Sequence, residues 1–281
     1  MILESCVLCP RKCRINRLQG RLGYCRSGPY AKTASVNLHF GEEPPISGYT
    51  GSGTIFFSSC TLKCIYCQNY PISHLNNGEE ITDEELADHM IDLQNRGAHN
   101  INLVTPTHML PSIVRALLKA IDKSLVIPLV YNSSGYETLE TLDLLKYIID
   151  IYMPDAKYAA SDTAEKYSDA PDYPNVNRAA IKQMFLQTGN LSINKRGTAT
   201  RGLLVRHLVL PHRIKEAKEI LRFLHHDISP DIYVSLMAQY HPAYKAHAYP
   251  EMNKHISDSE YNDVLACAEK LHLDNGWRQH V

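Results

Sequence analysis

The stretch GTIFFSSCTLKCIYCQNY, Gly53 to Tyr70, runs a compact apolar β-type segment into three cysteines spaced C-x3-C-x2-C. The apolar run closes at Ser59, and Cys60, Cys64 and Cys67 follow with no fourth cysteine in the loop. Structural zinc and an ordinary cubane each take four protein ligands. Three thiols in so short a loop therefore describe a metal site with an open corner. A distant histidine could complete a zinc site there, or the corner could be left for a ligand that is not protein.

Outward from this stretch, apolar runs alternate with helical patterns. TDEELADHMIDLQNRG (Thr82 to Gly97) opens on a Thr N-cap with Glu85 three residues later, and it stops at a glycine. NINLV (Asn100 to Val104) precedes a helix from Leu110 to Asp122, and VIPLVY (Val126 to Tyr131) precedes YETLETLDLLKYII. DIYMP (Asp150 to Pro154) leads through a polar section into NRAAIKQMFLQTG. LLVRHLVLP (Leu203 to Pro211) precedes KEAKEILRFLHH, and IYVSL (Ile232 to Leu236) precedes a Pro-interrupted loop and SEYNDVLACAEKLHL.

Short apolar strands separated by helices imply parallel βαβ units with a helix-covered sheet. Six such units fall short of the eight of a closed barrel. The expected fold is α/β, a partial (β/α)6 TIM-like barrel over residues 51–281 with a small cysteine-rich metal-binding segment over residues 1–50. In such sheets ligands gather at the carboxyl ends of the strands, so each strand end is worth reading.

The chain has 281 residues, enough for one large domain or one domain with a small appendage. A formal net charge of -1 gives no electrostatic reason to expect nucleic acid or an anionic membrane. The start MILESCVLCPRKC has no apolar h-region, and no run approaches the roughly 18 apolar residues of a spanning helix. A cytoplasmic protein is expected. Of its 8 cysteines, Cys6, Cys9, Cys13 and Cys25 crowd the N-terminus as C-x2-C-x3-C-x11-C, and Cys267 stands alone in VLACAEKL as a small core residue. In a reducing compartment such clusters argue for metal rather than disulfides. Four thiolates suit either structural zinc or an iron–sulfur cluster, and spacing does not choose between them. Arg11, Lys12, Arg14, Arg17, Arg21 and Arg26 surround them, with no acidic residue from Ser5 to Phe40. That balances an anionic metal–thiolate site or offers a docking patch to an acidic partner.

The cysteine loop, with Tyr66 at the aromatic position of C-x3-C-x-aromatic-C, resembles the radical S-adenosylmethionine (SAM) superfamily. The resemblance implies a 4Fe-4S cluster on Cys60, Cys64 and Cys67 whose open iron binds the amino and carboxylate groups of SAM. Reductive cleavage of SAM then gives a 5′-deoxyadenosyl radical that abstracts hydrogen from substrate, so cluster-bound SAM rather than a side chain is the reactive agent. CIYCQNYPIS, GEEPPISG and CVLCPRKCRINR…GYC together resemble homologues of pyruvate formate-lyase activating enzyme that carry a cysteine-rich head. That narrower likeness implies activation of a glycyl radical enzyme, fed by a low-potential flavodoxin- or ferredoxin-like electron donor. Two readings compete with it: a radical SAM modifier of another peptide or small molecule, and a non-enzymatic iron–sulfur electron carrier or metal-binding scaffold.

The resemblance also assigns strand ends. VTPTH (Val104 to His108) takes the place of a GGE-type motif, so Thr105 and Thr107 are expected near SAM although neither is a carboxylate. YNSSGY resembles an acidic-Thr-Asn-Gly turn and brings in Asn132, Ser133 and Ser134, with Asn132 replacing the carboxylate of a monovalent-cation site. MPDAKY resembles a Met-x-Asp-x-Lys stretch, and alternation puts Asp155 and Lys157 on one side of the strand end. Arg206 matches an arginine that contacts the SAM carboxylate, while His207 is expected on the opposite, core-facing side. His241 matches the histidine of a Tyr-His pair near SAM, with Gln239 and Tyr240 towards the substrate. An electron carrier would need no such cradle.

Overall fold

Apolar runs bounded by turn residues become the strands of one sheet in the computed structural model, which describes residues 2–279. The strands are β1 (Ala31–His39), β2 (Ser52–Phe57), β3 (Glu79–Ile81), β4 (Ile101–Val104) and β5 (Leu129–Ser133). They continue with β6 (Ile151–Pro154), β7 (Ser192–Ile193), β8 (Ala199–Leu208), β9 (Tyr233–Met237) and β10 (Gly276–Arg278). β2, β4, β5, β6, β8 and β9 lie side by side in parallel. These are the six strands the sequence predicts, and β10 adds a further parallel strand beyond β9. β1 pairs antiparallel with β2, and β3 with β1, so the sheet has two edges and does not close. The partial barrel is therefore as expected.

The helices are α1 (Pro44–Ser47), α2 (Tyr70–Ser73), α3 (Asp83–Asn95), α4 (Leu110–Asp122) and α5 (Leu139–Leu145), then α6 (Ser161–Ser168), α7 (Tyr173–Thr188), α8 (Ile214–Phe223) and α9 (Asp258–Lys270). The capping box at α3 forms: Glu85 N donates to Thr82 Oγ1 over 3.2 Å while Thr82 N donates to Glu85 Oε2 over 2.8 Å. α4 buries Leu110, Ile113, Ala116, Leu117 and Ala120, the stripe its periodicity dictates. α5 is shorter than its pattern. The helix ends at Lys146, whose ψ of 130° is no longer helical; Tyr147 follows with a φ of 68°, and Ile149 lies in the core.

Alternation along the strands makes two cores. Leu129 and Tyr131 of β5 face the helices, whereas Val130 faces inward with Ile151, Met153 and Leu204. Ile46 of α1 joins that inner cluster and is fully buried. Asn100, just before β4, donates from Nδ2 to the Ile46 carbonyl over 2.8 Å, which fixes α1 at the N-terminal end of the strands. The GEEPPISG segment is thus a plug in the barrel floor. Although β1 and α1 lie within residues 1–50, both belong to the barrel, and the cysteine-bearing part of the head precedes them.

Candidate active site

The loop after β2 is pinned before it does anything else. Lys63 N and Ile65 N donate to the Ser168 and Tyr167 carbonyls at the end of α6, and Lys245 N donates to the Ile65 carbonyl over 2.9 Å. Each loop sulfur receives a hydrogen bond. Leu62 N donates to Cys60 Sγ over 3.4 Å, Ser168 Oγ to Cys64 Sγ over 2.9 Å, and Ser73 and the Asn69 backbone to Cys67. Burial pushes the Cys60 thiol up to about 12 and the Cys67 thiol up to about 11, so neither is a free nucleophile at neutral pH. Such thiols become thiolates when a metal takes the proton's place.

The loop faces the strand ends across a cleft of about 160 Å³. Cys64, Tyr66 and Cys67 line one side, and Asp155, Lys157 and Arg206 the other. Lys157 Nζ reaches Asp155 Oδ2 at 2.5 Å. An isolated parallel bridge sets Asp155 beside Arg206, where Asp155 Oδ1 and the guanidinium Nε are 3.6 Å apart. Arg206 also meets two carboxylates from the floor plug, Glu42 Oε2 at 3.1 Å and Glu43 Oε1 at 3.6 Å. Burial raises the Glu42 carboxyl and Arg206 opposes that rise. Glu42 and Glu43 carry no local signal of this role, because nothing in the sequence shows that a turn beside Pro44 reaches a strand 164 residues away.

The remaining expected residues divide. Tyr66 lines the cleft, its ring edge-on to Tyr240 with centroids 5.8 Å apart and its hydroxyl 2.7 Å from that of Tyr158. Thr105, a β-branched residue, holds a φ of 57°, which marks a strained backbone at the end of β4. Its N–H donates to the carbonyl of the nearly buried Asn132 over 2.8 Å. Thr107 and Ser133 turn the other way: both hydrogen-bond the fully buried Glu137, Thr107 Oγ1 donating over 2.7 Å. Alternation explains Ser133, which shares the helix-facing side of β5 with Tyr131. His241 is outside the cleft, on an open groove of about 670 Å³ shared with His247, His255 and Gln279. Gln239 lines both cleft and groove, and Gln68 Nε2 donates to its carbonyl over 3.1 Å. His207 faces the core as expected, with Nδ1–H donating to the Ala156 carbonyl over 2.6 Å.

The family model described as the radical SAM superfamily matches residues 54–184. An uncharacterized protein of Methanocaldococcus jannaschii is 32% identical over 284 residues, covering 97% of this chain and 77% of its own. The chain belongs to the radical SAM superfamily. Among solved structures, Streptococcus suis SuiB bound to precursor peptide SuiA is similar with a TM-score of 0.52 and 10% identity. The likeness covers 79% of this chain and 47% of SuiB. Native anSMEcpe with bound AdoMet has a TM-score of 0.50 and 11% identity, covering 79% of this chain and 61% of that one. At these identities the likeness is one of fold, and the chain spans about half the length of SuiB.

The superfamily implies a 4Fe-4S cluster and SAM, and the residues present fit both. Three sulfurs that accept hydrogen bonds, with the Lys157 ammonium near enough to act on them, suit an anionic thiolate-held cluster. Among the described residues, no three Cys, His, Asp or Glu side chains are grouped closely enough to hold one metal ion. A single zinc at the loop would need such a grouping and a cubane would not. No helix of the described residues is long and apolar enough to cross a membrane.

Proposed function

We propose that this radical SAM enzyme takes a hydrogen atom from a peptide segment of another protein, the backbone glycine of a glycyl radical enzyme being one such target. When bound, the cluster on Cys60, Cys64 and Cys67 and its SAM supply a 5′-deoxyadenosyl radical. Lys157 spends one N–H on Asp155 and keeps two donors for the SAM carboxylate. Asp155, steadied by Lys157 and Arg206, offers its carboxylate to the SAM amine or a ribose hydroxyl. Arg206 hydrogen-bonds Glu42, lies 3.6 Å from Asp155 and so helps to position it, and its Nε has no hydrogen-bond partner among the described residues, which leaves a donor for the SAM carboxylate. The tightly packed Tyr66 and Tyr240 keep water from this wall of the cleft.

One observation carries the peptide reading: Gln239 lines both the cleft and the open groove of Pro242, His247 and His255, so the two adjoin there. A small metabolite would be better served by an enclosed pocket. A flavodoxin- or ferredoxin-like donor completes the scheme, and the exposed Lys12, Arg14, Arg21 and Arg26 of the head suit its acidic surface.

The test has two stages. Anaerobic protein with dithionite and SAM should release 5′-deoxyadenosine, and the Cys64→Ala variant should release none. Extract from cells grown in deuterated medium is then split into protein and small-molecule pools. Deuterium should enter 5′-deoxyadenosine from the protein pool. Label arriving only from the small-molecule pool would overturn the peptide reading.

A further inference from the structure

The four head cysteines, drawn from a segment of 20 residues, meet at one place. Cys6, Cys9, Cys13 and Cys25 line a single enclosed pocket, closed on its far side by Thr61 and His108. The backbone is folded tightly to bring this about. Arg14 N donates to the Cys6 carbonyl over 2.9 Å, Cys6 N to the Ile15 carbonyl over 3.0 Å, and Lys12 N to the Cys9 carbonyl over 3.0 Å. Lys12 and Arg14, on either side of Cys13, and Arg26, after Cys25, hold φ values of 39°, 52° and 55°. Left-handed backbone at non-glycine residues costs energy, and here it is concentrated at the cysteines. Gly23 packs against the same wall, where an added Cβ would lie 3.0 Å from Cys13 Sγ.

Two buried polar atoms on this wall have no hydrogen-bond partner among the described residues, Arg11 Nη2 and His108 Nδ1. Neither can easily turn elsewhere. Arg11 Nε donates to the Thr61 carbonyl over 3.1 Å while its guanidinium lies 3.9 Å from the centroid of the Tyr24 ring. His108 is 1% exposed, and its Nε2–H donates to the Ser58 carbonyl over 2.7 Å. Buried polar groups are nearly always satisfied, so a wall with the fixed, unsatisfied Arg11 donor and four sulfurs is built around an occupant that accepts a hydrogen bond.

The arrangement also discriminates between occupants. A tetrahedral zinc bonded at about 2.3 Å would draw its four sulfurs to within about 3.8 Å of one another. Among the described residues no three Cys, His, Asp or Glu side chains stand together as one such ion would need, whereas the four head cysteines surround an enclosed pocket. We propose that the head holds a second iron–sulfur cluster, ligated by Cys6, Cys9, Cys13 and Cys25, with Arg11 Nη2 donating to one of its sulfurs. Thr61, which lines the head pocket, immediately follows Cys60 of the loop, so the two cysteine sets adjoin. The inference concerns a site separate from the proposed active site and does not rest on that reading.

The experiment uses full-length protein purified without oxygen and without added iron, with iron, acid-labile sulfide and zinc counted per chain. A Cys60→Ser, Cys64→Ser, Cys67→Ser variant leaves the head intact and should keep about half of the wild-type iron and sulfide. A Cys9→Ser, Cys25→Ser variant should keep the other half, together with the change that added SAM makes in the spectrum of the loop cluster. Arg11→Gln should retain both metal centres but lower the reduction potential of the head cluster alone. Zinc without sulfide in the loop variant, or no metal there, overturns the proposal. Because the loop variant does not alter the head, misfolding of the head variant cannot rescue or sink the idea. Loss of the SAM response in wild-type protein would count against the active-site reading alone.

Discussion

Ser168 Oγ donates a hydrogen bond to Cys64 Sγ over 2.9 Å, across 104 residues of sequence. Since the Ser168 proton is given to sulfur, its oxygen accepts from the Tyr158 hydroxyl at 2.6 Å, and Tyr158 in turn accepts from Tyr66 at 2.7 Å. A directed chain of three buried hydroxyls therefore ends on a ligand sulfur. Hydrogen bonds to cluster sulfurs raise the potential by stabilising the more negative, reduced state. Ser168→Ala should lower the midpoint of the loop cluster by some tens of millivolts, the equivalent of roughly 1 kcal/mol for a one-electron couple. Tyr66→Phe, two links away, should lower it less. An anaerobic redox titration followed by electron paramagnetic resonance measures both, and an unmoved midpoint in Ser168→Ala would refute the link.

Arg206 sits among three carboxylates that the strand end and the floor plug press together. Side-chain exposure is 8% for Glu42, 3% for Glu43 and 22% for Asp155. Removing one member of a buried ionic group strands the others, at a cost of about 3–5 kcal/mol. Arg206→Ala should lose stability on that scale, whereas Lys157→Ala, which leaves Asp155 with Arg206, should lose far less and instead bind SAM weakly. Urea unfolding of the metal-free proteins and calorimetric SAM titration of the loaded ones separate the two effects. Equal stability of Arg206→Ala and wild type would remove the cage from the account.

Local signals were legible where one segment sufficed. The six parallel strands, the Thr82–Glu85 cap and the inward pairing of Asp155 with Lys157 each follow from spacing within about ten residues. The floor plug was not legible. In sequence GEEPPISG is a Pro/Gly turn, and only the closed fold brings Glu42 and Glu43 to Arg206. Thr107 and Ser133 were misjudged for a related reason. A hydroxyl at a strand end can face the cleft or the helices, and the deciding partner, Glu137, is a carboxylate the strand pattern did not single out. β10 escaped notice because GWR is too short to show alternation.

Gly48 ends the plug helix with a φ of 50°, and an added Cβ would lie 2.5 Å from the His99 ring and 2.7 Å from Thr198 Cγ2. The same ring accepts the Tyr49 and Thr50 N–H groups at 3.2 Å, so it is not free to retreat. Gly48→Ala should therefore cost about 2–4 kcal/mol, combining left-handed strain with overpacking. Thermal unfolding reads the loss. Gly197→Ala, also at positive φ but with open space around it, should cost only the strain component. Similar losses for the two would mean that the plug is not tightly seated.

Glu137 supplies the pH prediction. Burial lifts its carboxyl to about 7, against hydrogen bonds from Thr107, Ser133 and Tyr131 that favour the ionised form. In the unfolded chain the group titrates near its ordinary value of 4.5. Between those two values the folded state holds a proton that the unfolded state has released. Stability therefore falls with rising pH across that window and levels off above it. The full drop is about 3 kcal/mol for a displacement of this size. Glu137→Gln keeps an acceptor for Thr107 and cannot ionise, so the difference in unfolding free energy between variant and wild type should grow from pH 5 to pH 7 in the variant's favour. Urea titrations at intervals across that range test it. A difference that stays flat would show that Glu137 remains ionised inside the fold.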